Sequence, residues 1–449
     1  MARKKETTEE LQLWQTVPPV EFNVAIGDKN EQQALEIQAR QAPGYPVAAG
    51  QISHALTSRA THVLLDFAQQ AVAMRYQIDG MWEPLPPLPR DAGDAMLFVL
   101  KQLCGMDPAD RRGPQSGSCL TKFKKEKYKI ALQSQGVKTG ERVMVRLEPV
   151  NVQFSRLADL GMRDKMQETY KNILNASGGI VLISAPKGAG LTTTWQVSLE
   201  ASDRFLRDFQ AVEHADRPEP ETININPNFF GGSTGKSAPE LLRSMILKEP
   251  DLFVLPEKMD DESMKMVMGQ VKKNDKHVYT RIVADDAVEA AVQFVARHRA
   301  LAKELAETLM VVTGQRLARR LCDNCKQGFE PSPQLLQRLG IPPGRVGVLY
   351  QPFVPPPIEE QVDEKGRPAP ITPCHVCGGR SYLGRVGIFE LLQPGPNFRA
   401  ALLKTQDVNK LREIAKAEGH RGLQSEGILT VARGLTGLDE LKRVFAAKK

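Results

Sequence analysis

Long apolar runs are absent: nowhere in its 449 residues does the sequence approach the roughly 20 uninterrupted apolar residues that a membrane-spanning helix needs. The chain is not expected to cross a membrane by itself. Met1-Ala2-Arg3-Lys4-Lys5-Glu6 offers neither an apolar core nor a small-residue cleavage site, so no secretory signal is read there and a cytoplasmic protein is expected. A strong charge imbalance is also missing. Sixty basic residues stand against 53 acidic ones, and the net +7 gives only a mild bias toward nucleotides, nucleic acid or anionic lipid. Histidine is scarce, and His54, His62, His298, His375 and His420 fall into no metal-ligand spacing. No long internal repeat is present.

The length suffices for two or three domains with cores of their own. Six cysteines are present, and four form two CxxC pairs, Cys322/Cys325 and Cys374/Cys377, while Cys104 and Cys119 stand alone. In a reducing compartment such pairs read as a metal site. Residues 1–50 are polar and broken by Pro18, Pro19, Pro43 and Pro46, which suggests a weakly structured arm with one short helix over Glu31 to Arg40. An α+β pattern follows over 51–150, with strands at Thr61 to Phe67, Ala71 to Ile78, Tyr128 to Leu132 and Arg142 to Leu147, and a helix at Asp94 to Leu103. From 156 to 449 buried-strand runs alternate with amphipathic segments, the rhythm of a parallel α/β sheet. Ala302 to Leu321 reads as helical, and a proline-rich irregular insert lies between the cysteine pairs.

The apolar run Ile180 to Ile183 leads into Ser184-Ala185-Pro186-Lys187-Gly188-Ala189-Gly190-Leu191-Thr192-Thr193-Thr194 and then a helical pattern. A phosphate-cradling loop has the form GxxxxGK[ST], in which amides face the phosphates, the lysine pairs with them and the hydroxyl holds magnesium. Gly190 and Thr192 stand in place, whereas the first glycine is Ala185 and the lysine is Leu191. The nucleotide-binding candidates are Lys187, Gly188, Ala189, Gly190, Leu191, Thr192 and Thr193.

Six further blocks follow the same order as in one family. Arg75-Tyr76-Gln77-Ile78-Asp79-Gly80 is similar to RxRIDG, Asp107 to Gly117 to DxxERRxPQxG, and Gly140 to Leu147 to GERVVLRLL. Leu242 to Asp260 resembles LRSxLRxDPDxxMxGEIRD, Thr313 to Cys322 resembles TGxxAQRLxRxLC, and Cys374 to Leu391 resembles CxxCxxxGYxGRxGIxELL. Together they resemble the ATPases of type II secretion and type IV pilus assembly. The resemblance implies an α/β fold: a RecA-like P-loop NTPase domain, a PAS-like α+β N-terminal domain and a zinc-binding insertion at 321–386. It further implies a hexameric motor, docked on an inner-membrane platform protein at the cytoplasmic face of the plasma membrane.

Carried over residue by residue, the family's chemistry is largely missing. The lysine is Leu191, the acid of the aspartate box falls on His214 beside Glu213, and the two histidines of the histidine box map to Lys276 and Val283. The two arginines that reach a neighbour's γ-phosphate map to Ser118 and Ala131. Glu257 matches the Walker B glutamate, behind Pro256 in place of glycine. A lost charge-assisted phosphate contact costs about 1.5–3 kcal/mol, and an arginine finger is worth about 10³–10⁵ in rate. The combined losses point to a pseudo-ATPase: a subunit or adaptor of a homo- or hetero-oligomeric ring, with ATP and Mg²⁺ binding weakened. Two other readings stand beside it: a working motor in which Lys187 supplies the missing charge, and a zinc-stabilised nucleic-acid-binding module, for which no recognition motif is present.

Four thiolates in two CxxC knuckles suit a structural Zn²⁺ held by Cys322, Cys325, Cys374 and Cys377, with no ligand position open. Lys122-Phe123-Lys124-Lys125-Glu126-Lys127-Tyr128-Lys129 is a basic stretch with two aromatics that could form a nucleic-acid or lipid-headgroup patch, and its alternation favours an exposed strand with lysine on its solvent face. Cys104 is expected to be buried, Trp82 to cover the small domain's core, and Lys448-Lys449 carries nothing specific.

Overall fold

The computed structural model describes residues 13–151, 154–357, 359, 361, 367, 369 and 371–446. Met1 to Glu6, Lys448-Lys449 and part of the proline-rich insert lie outside them. The chain divides into two units, Met1–Gln153 and Phe154–Lys449. Among the described residues no helix is long and apolar enough to cross a membrane.

The first unit is an antiparallel sheet with helices on one face. Its elements are β1 (Glu21–Asn23), α1 (Lys29–Gln41), α2 (Tyr45–Thr57), β2 (Ala60–Phe67), β3 (Ala71–Ile78), β4 (Met81–Pro89), α3 (Arg90–Leu103), β5 (Gln115–Phe123), β6 (Glu126–Val137) and β7 (Gly140–Pro149). The order is β1-β5-β6-β7-β2-β3-β4. Alternation sets the buried face: in β3, Val72, Met74, Tyr76 and Ile78 point into the core while the residues between do not. β4 carries Pro84, Pro86, Pro87 and Pro89 and lies at an edge, where proline leaves no ladder bond unmade.

The weakly structured arm expected over 1–50 is corrected from residue 20 onward, residues 1–12 lying outside the described ones. Val20, Phe22, Val24, Ala39, Ala48 and Ala49 belong to its core, and β1 pairs with β5. The prolines misled because Pro46 occupies the first turn of α2, where its missing N–H is no loss. α1 starts at a capping box of Asp28 and Glu31. Trp82 is also corrected: it is 40% exposed and stands edge-on to His62 at 6.3 Å. Cys104 is buried as expected, its sulfur 3.6 Å from that of Cys119.

The block from Asp107 to Gln115 is held by charge. Lys101 is fully buried, 2.5 Å from Glu141, and donates to the Asp110 carbonyl at 2.6 Å. The Ser134 hydroxyl donates to the same carboxylate. The Asp110 carboxylate accepts the Arg112 and Gly113 amides, which folds the loop back on itself.

The second unit is an α/β sandwich. In chain order it has α4 (Asp164–Leu174), β8 (Gly179–Ala185), α5 (Leu191–Ala201), β9 (Phe209–His214), β10 (Ile225–Phe230), α6 (Ala238–Ile246), β11 (Leu252–Val254), α7 (Asp261–Asn274), β12 (His277–Val283), α8 (Ala287–Arg297) and α9 (Ala302–Thr308). Then come β13 (Leu309–Leu321), β14 (Gln327–Phe329), α10 (Pro333–Arg338), β15 (Leu349–Gln351), β16 (Tyr382–Leu392), α11 (Pro396–Leu402), α12 (Val408–Ala417), α13 (Leu423–Ala432) and α14 (Leu438–Phe445). The sheet order is β10-β9-β11-β12-β8-β13-β16, parallel except for the last pair. β8 is buried throughout, since α4 and α5 cover one face and α6 to α9 the other.

The helix expected over Ala302 to Leu321 stops at Thr308, and its second half is β13. Arg399 donates to the carbonyls of Ala306, Glu307 (2.8 Å) and Leu309 (2.8 Å), which closes the helix end. The β-branched run Val311-Val312-Thr313 then pairs with β8 on one side and β16 on the other.

Candidate nucleotide and metal sites

In a parallel sheet all strands end at one edge, and ligands bind in the crevice beyond it. That edge gathers Ala185 of β8, Glu213 and His214 of β9, Glu257 after β11 and Val283 of β12. The strand pairing therefore brings most of the expected nucleotide residues to one rim. Lys276 precedes β12 and belongs to the opposite edge, where its ammonium donates to the Glu249 carbonyl at 3.1 Å.

The loop after β8 keeps the backbone of a phosphate cradle. Gly188 and Gly190 have φ of +76° and +86°, a region costly for any residue with a Cβ. Gly190 caps α5 without a side-chain cap, which leaves amides at the helix start facing outward. The Ala189 amide donates to the Pro186 carbonyl at 3.0 Å, and the Ala189 carbonyl accepts from Gln315 Nε2 at 2.6 Å. Ser184 donates two hydrogen bonds to Thr313, from its amide to the hydroxyl and from its hydroxyl to the carbonyl, tying β8 to β13. Sequence reasoning gave Gln315 no role, although it lies inside the Thr313 to Cys322 block.

The side chains tell the opposite story. Leu191 is half-buried and packs against the core beneath α5. Thr192 is exposed, and Thr193 is half-buried. Lys187 is exposed and forms no ion pair or hydrogen bond among the described residues. The Glu257 side chain is half-buried, and its backbone carbonyl accepts from Arg297 at 2.6 Å. His214 accepts the Asp216 amide through Nδ1 at 3.2 Å and stands edge-on to Phe230. In the first unit, Ser118 and Ala131 lie directly opposite each other on β5 and β6.

The sequence gave no notice of a charge cluster beside this rim. Arg281 of β12 makes two hydrogen bonds to the Glu219 carboxylate, one at 3.0 Å, and its guanidinium lies 5.0 Å from the Trp195 ring centre. The Glu219 amide donates to Glu213 at 2.9 Å. Burial raises the Glu213 pKa, and the Glu219 charge adds to this, while the amide and Arg281 act against it. These groups line a cavity of about 220 Å³ with Phe229 and Pro256. Arg281 is thus a cation at the rim already matched by an internal carboxylate.

The four knuckle cysteines converge. Cys322 and Cys374 sulfurs are 4.0 Å apart, Cys325 and Cys377 are 3.6 Å apart, and all four lie within 4.8 Å of one another. Zn–S bonds of about 2.3 Å in a tetrahedron put sulfurs about 3.8 Å apart, so the donor set fits Zn²⁺. Each knuckle is a tight turn: the Cys325 amide donates to the Cys322 carbonyl, and the Gly378 amide to that of Cys374. Outer donors support anionic sulfur, with Ser381 N–H to Cys377 and Asn324 Nδ2 to Cys374, both at 3.2 Å. The Cys377 amide, followed by Asn324, holds the Cys374 thiol down to about 6, while burial pushes the Cys322 and Cys325 thiols up. His375 is exposed and outside the cluster.

A family model described as Type II/IV secretion system protein matches residues 38–443. The type IV pilus assembly ATPase PilB of Thermus thermophilus is 27% identical over 397 residues, which cover 87% of this chain and 42% of that protein. The protein transport protein HofB homolog of Escherichia coli K12 is 26% identical over 414 residues, 92% of this chain and 83% of its own length. The chain therefore spans less than half of the Thermus relative and most of the Escherichia one. In fold it resembles the Legionella pneumophila ATPase DotB (TM-score 0.54, 12% identity, 88% of this chain and 94% of that one). It likewise resembles the pilus retraction motor PilT with bound ADP (TM-score 0.50, 15% identity, 88% and 96% covered). By the reach of the family model, the chain belongs to the type II/IV secretion system protein family.

Proposed function

We propose that this chain is a catalytically impaired member of its family, a pseudo-ATPase subunit or adaptor of a type II secretion or type IV pilus machine. The observation that carries the reading is Leu191, an apolar side chain packed toward the core where the family's lysine meets the phosphates. The loop amides suit a phosphate and would hold it by the helix start alone. The charge that would grip it, and the groups that would act on an attacking water, are replaced at Leu191, His214, Val283, Ser118 and Ala131. Glu257 is the remaining candidate to orient such a water.

In this reading the first unit is a PAS-like domain whose core includes residues 20–50, and the second is a RecA-like domain with a structural Zn²⁺ on Cys322, Cys325, Cys374 and Cys377. The subunit acts by assembly, in a ring with its own copies or with an active paralogous ATPase, on an inner-membrane platform protein at the cytoplasmic face. No specific nucleic acid is involved. One observation favours an active motor instead: Lys187 lies exposed in the loop and forms no ion pair among the described residues. Steady-state hydrolysis by the pure protein separates the two readings. Turnover at background level supports the pseudo-ATPase, and turnover abolished by Lys187→Ala establishes the motor.

A further inference from the structure

The lysine-rich stretch of the first unit is a hairpin, and its construction is costly. β5 and β6 meet in a two-residue turn of Lys124 and Lys125, and Lys124 has φ of +56°, a conformation that glycine or asparagine ordinarily supplies. Lys122 lies directly opposite Lys127 in the ladder, a like-charge pairing that destabilises a sheet. Lys122, Lys124, Lys125, Lys127 and Lys129 are all exposed, and none forms an ion pair among the described residues.

The nearby acids are engaged elsewhere. Glu21, opposite Lys122, lies 3.9 Å from Arg40, and Glu148, opposite Lys129, pairs with Arg146 at 3.0 Å. The Glu126 carboxylate accepts the Tyr128 hydroxyl. Five positive charges are therefore held together on one exposed hairpin against the single charge of Glu126, two of the five facing each other. Phe123 lies half-buried under Lys124, its ring 5.2 Å from the ammonium and edge-on to Tyr128, which stiffens the tip.

We propose that this hairpin tip docks on an anionic lipid surface. Lysine is a hydrated point charge on a flexible stem, suited to the diffuse field of headgroups, whereas arginine is the residue favoured for bidentate phosphate and base recognition. The tip carries no arginine, asparagine or glutamine. Its net charge adds an attraction that requires neither nucleotide nor metal, so the inference stands apart from the catalytic reading.

The test is sedimentation of the zinc-loaded full chain with phosphatidylcholine vesicles, with and without phosphatidylglycerol. Binding is expected only to the anionic vesicles and is lost as salt rises. Each lysine neutralised should weaken partitioning about fivefold, so Lys125→Gln with Lys127→Gln lowers it about 25-fold. Lys165→Gln with Lys410→Gln, exposed lysines of the second unit, removes the same charge and should leave partitioning within about twofold. Thermal melting verifies that both variants fold. Three results overturn the proposal: no binding to anionic vesicles at low salt, equal losses in the two variants, or displacement from vesicles by duplex DNA at equal phosphate.

Discussion

The two sites of the second unit are made from opposite materials. At the cysteine cluster side chains do the work: four sulfurs within 4.8 Å, turned inward by two backbone knuckles. At the phosphate loop the backbone is intact, with Gly188 and Gly190 in left-handed conformations, while the side chain that should carry charge is a leucine. The contrast follows from what each site does for folding. A structural zinc contributes its binding energy to the fold itself, so losing one thiolate loses a lobe. A phosphate-binding lysine contributes nothing until ligand arrives, and the fold survives without it. The loop backbone persists because it is also structural, tied down through Gln315 and Thr313.

The largest effect expected from breaking the comparison lies on the metal side. Cys374→Ser should lower zinc from about one per chain to well under one by metal analysis, and open the 321–386 lobe to protease, since structural zinc is worth about 10–16 kcal/mol in small domains. Another charge site built entirely from side chains, Lys101 with Glu141, should behave likewise. Lys101→Met leaves the buried Glu141 carboxylate with only the Ser134 hydroxyl and Arg111, 3.9 Å away, and should cost about 3 kcal/mol in urea unfolding of the whole chain.

Acid provides a further contrast, because His277 is fully buried and burial depresses its pKa from 6.5 to about 3. The fold keeps it neutral, so its share of stability is complete above pH 6.5 and is lost as pH falls toward 3. The expected slope is about 1.4 kcal/mol per pH unit within that window, absent in His277→Phe. The smallest effect is expected at the loop. Gln315→Ala removes one hydrogen bond and should cost about 1 kcal/mol in thermal or urea unfolding.

Legibility in the sequence followed the range of the forces involved. β8 and the helix after it were readable because apolar runs and 3.6-residue periodicity are local. β13 was not, since its helical periodicity was overridden by pairing with β8 and β16 and by Arg399, far along the chain. β1 and α2 were hidden by prolines whose positions are harmless once the elements exist. The cysteine cluster was legible from spacing alone, and the leucine at 191 from the loop pattern. Arg281 and Glu219 were not, because nothing in sequence marks two residues 62 positions apart as partners. Trp82 was misjudged because a large ring is usually buried, whereas this one lies on the outer face of an edge strand.

The central claim is that the phosphate loop has kept its backbone and lost its grip. Titration of the zinc-loaded protein with a fluorescent ATP analogue and magnesium tests it directly, with Leu191→Lys beside the unmodified chain. The account predicts no micromolar binding by the unmodified chain and recovery of binding in Leu191→Lys. Micromolar binding by the unmodified chain, unchanged by the added lysine, would contradict it.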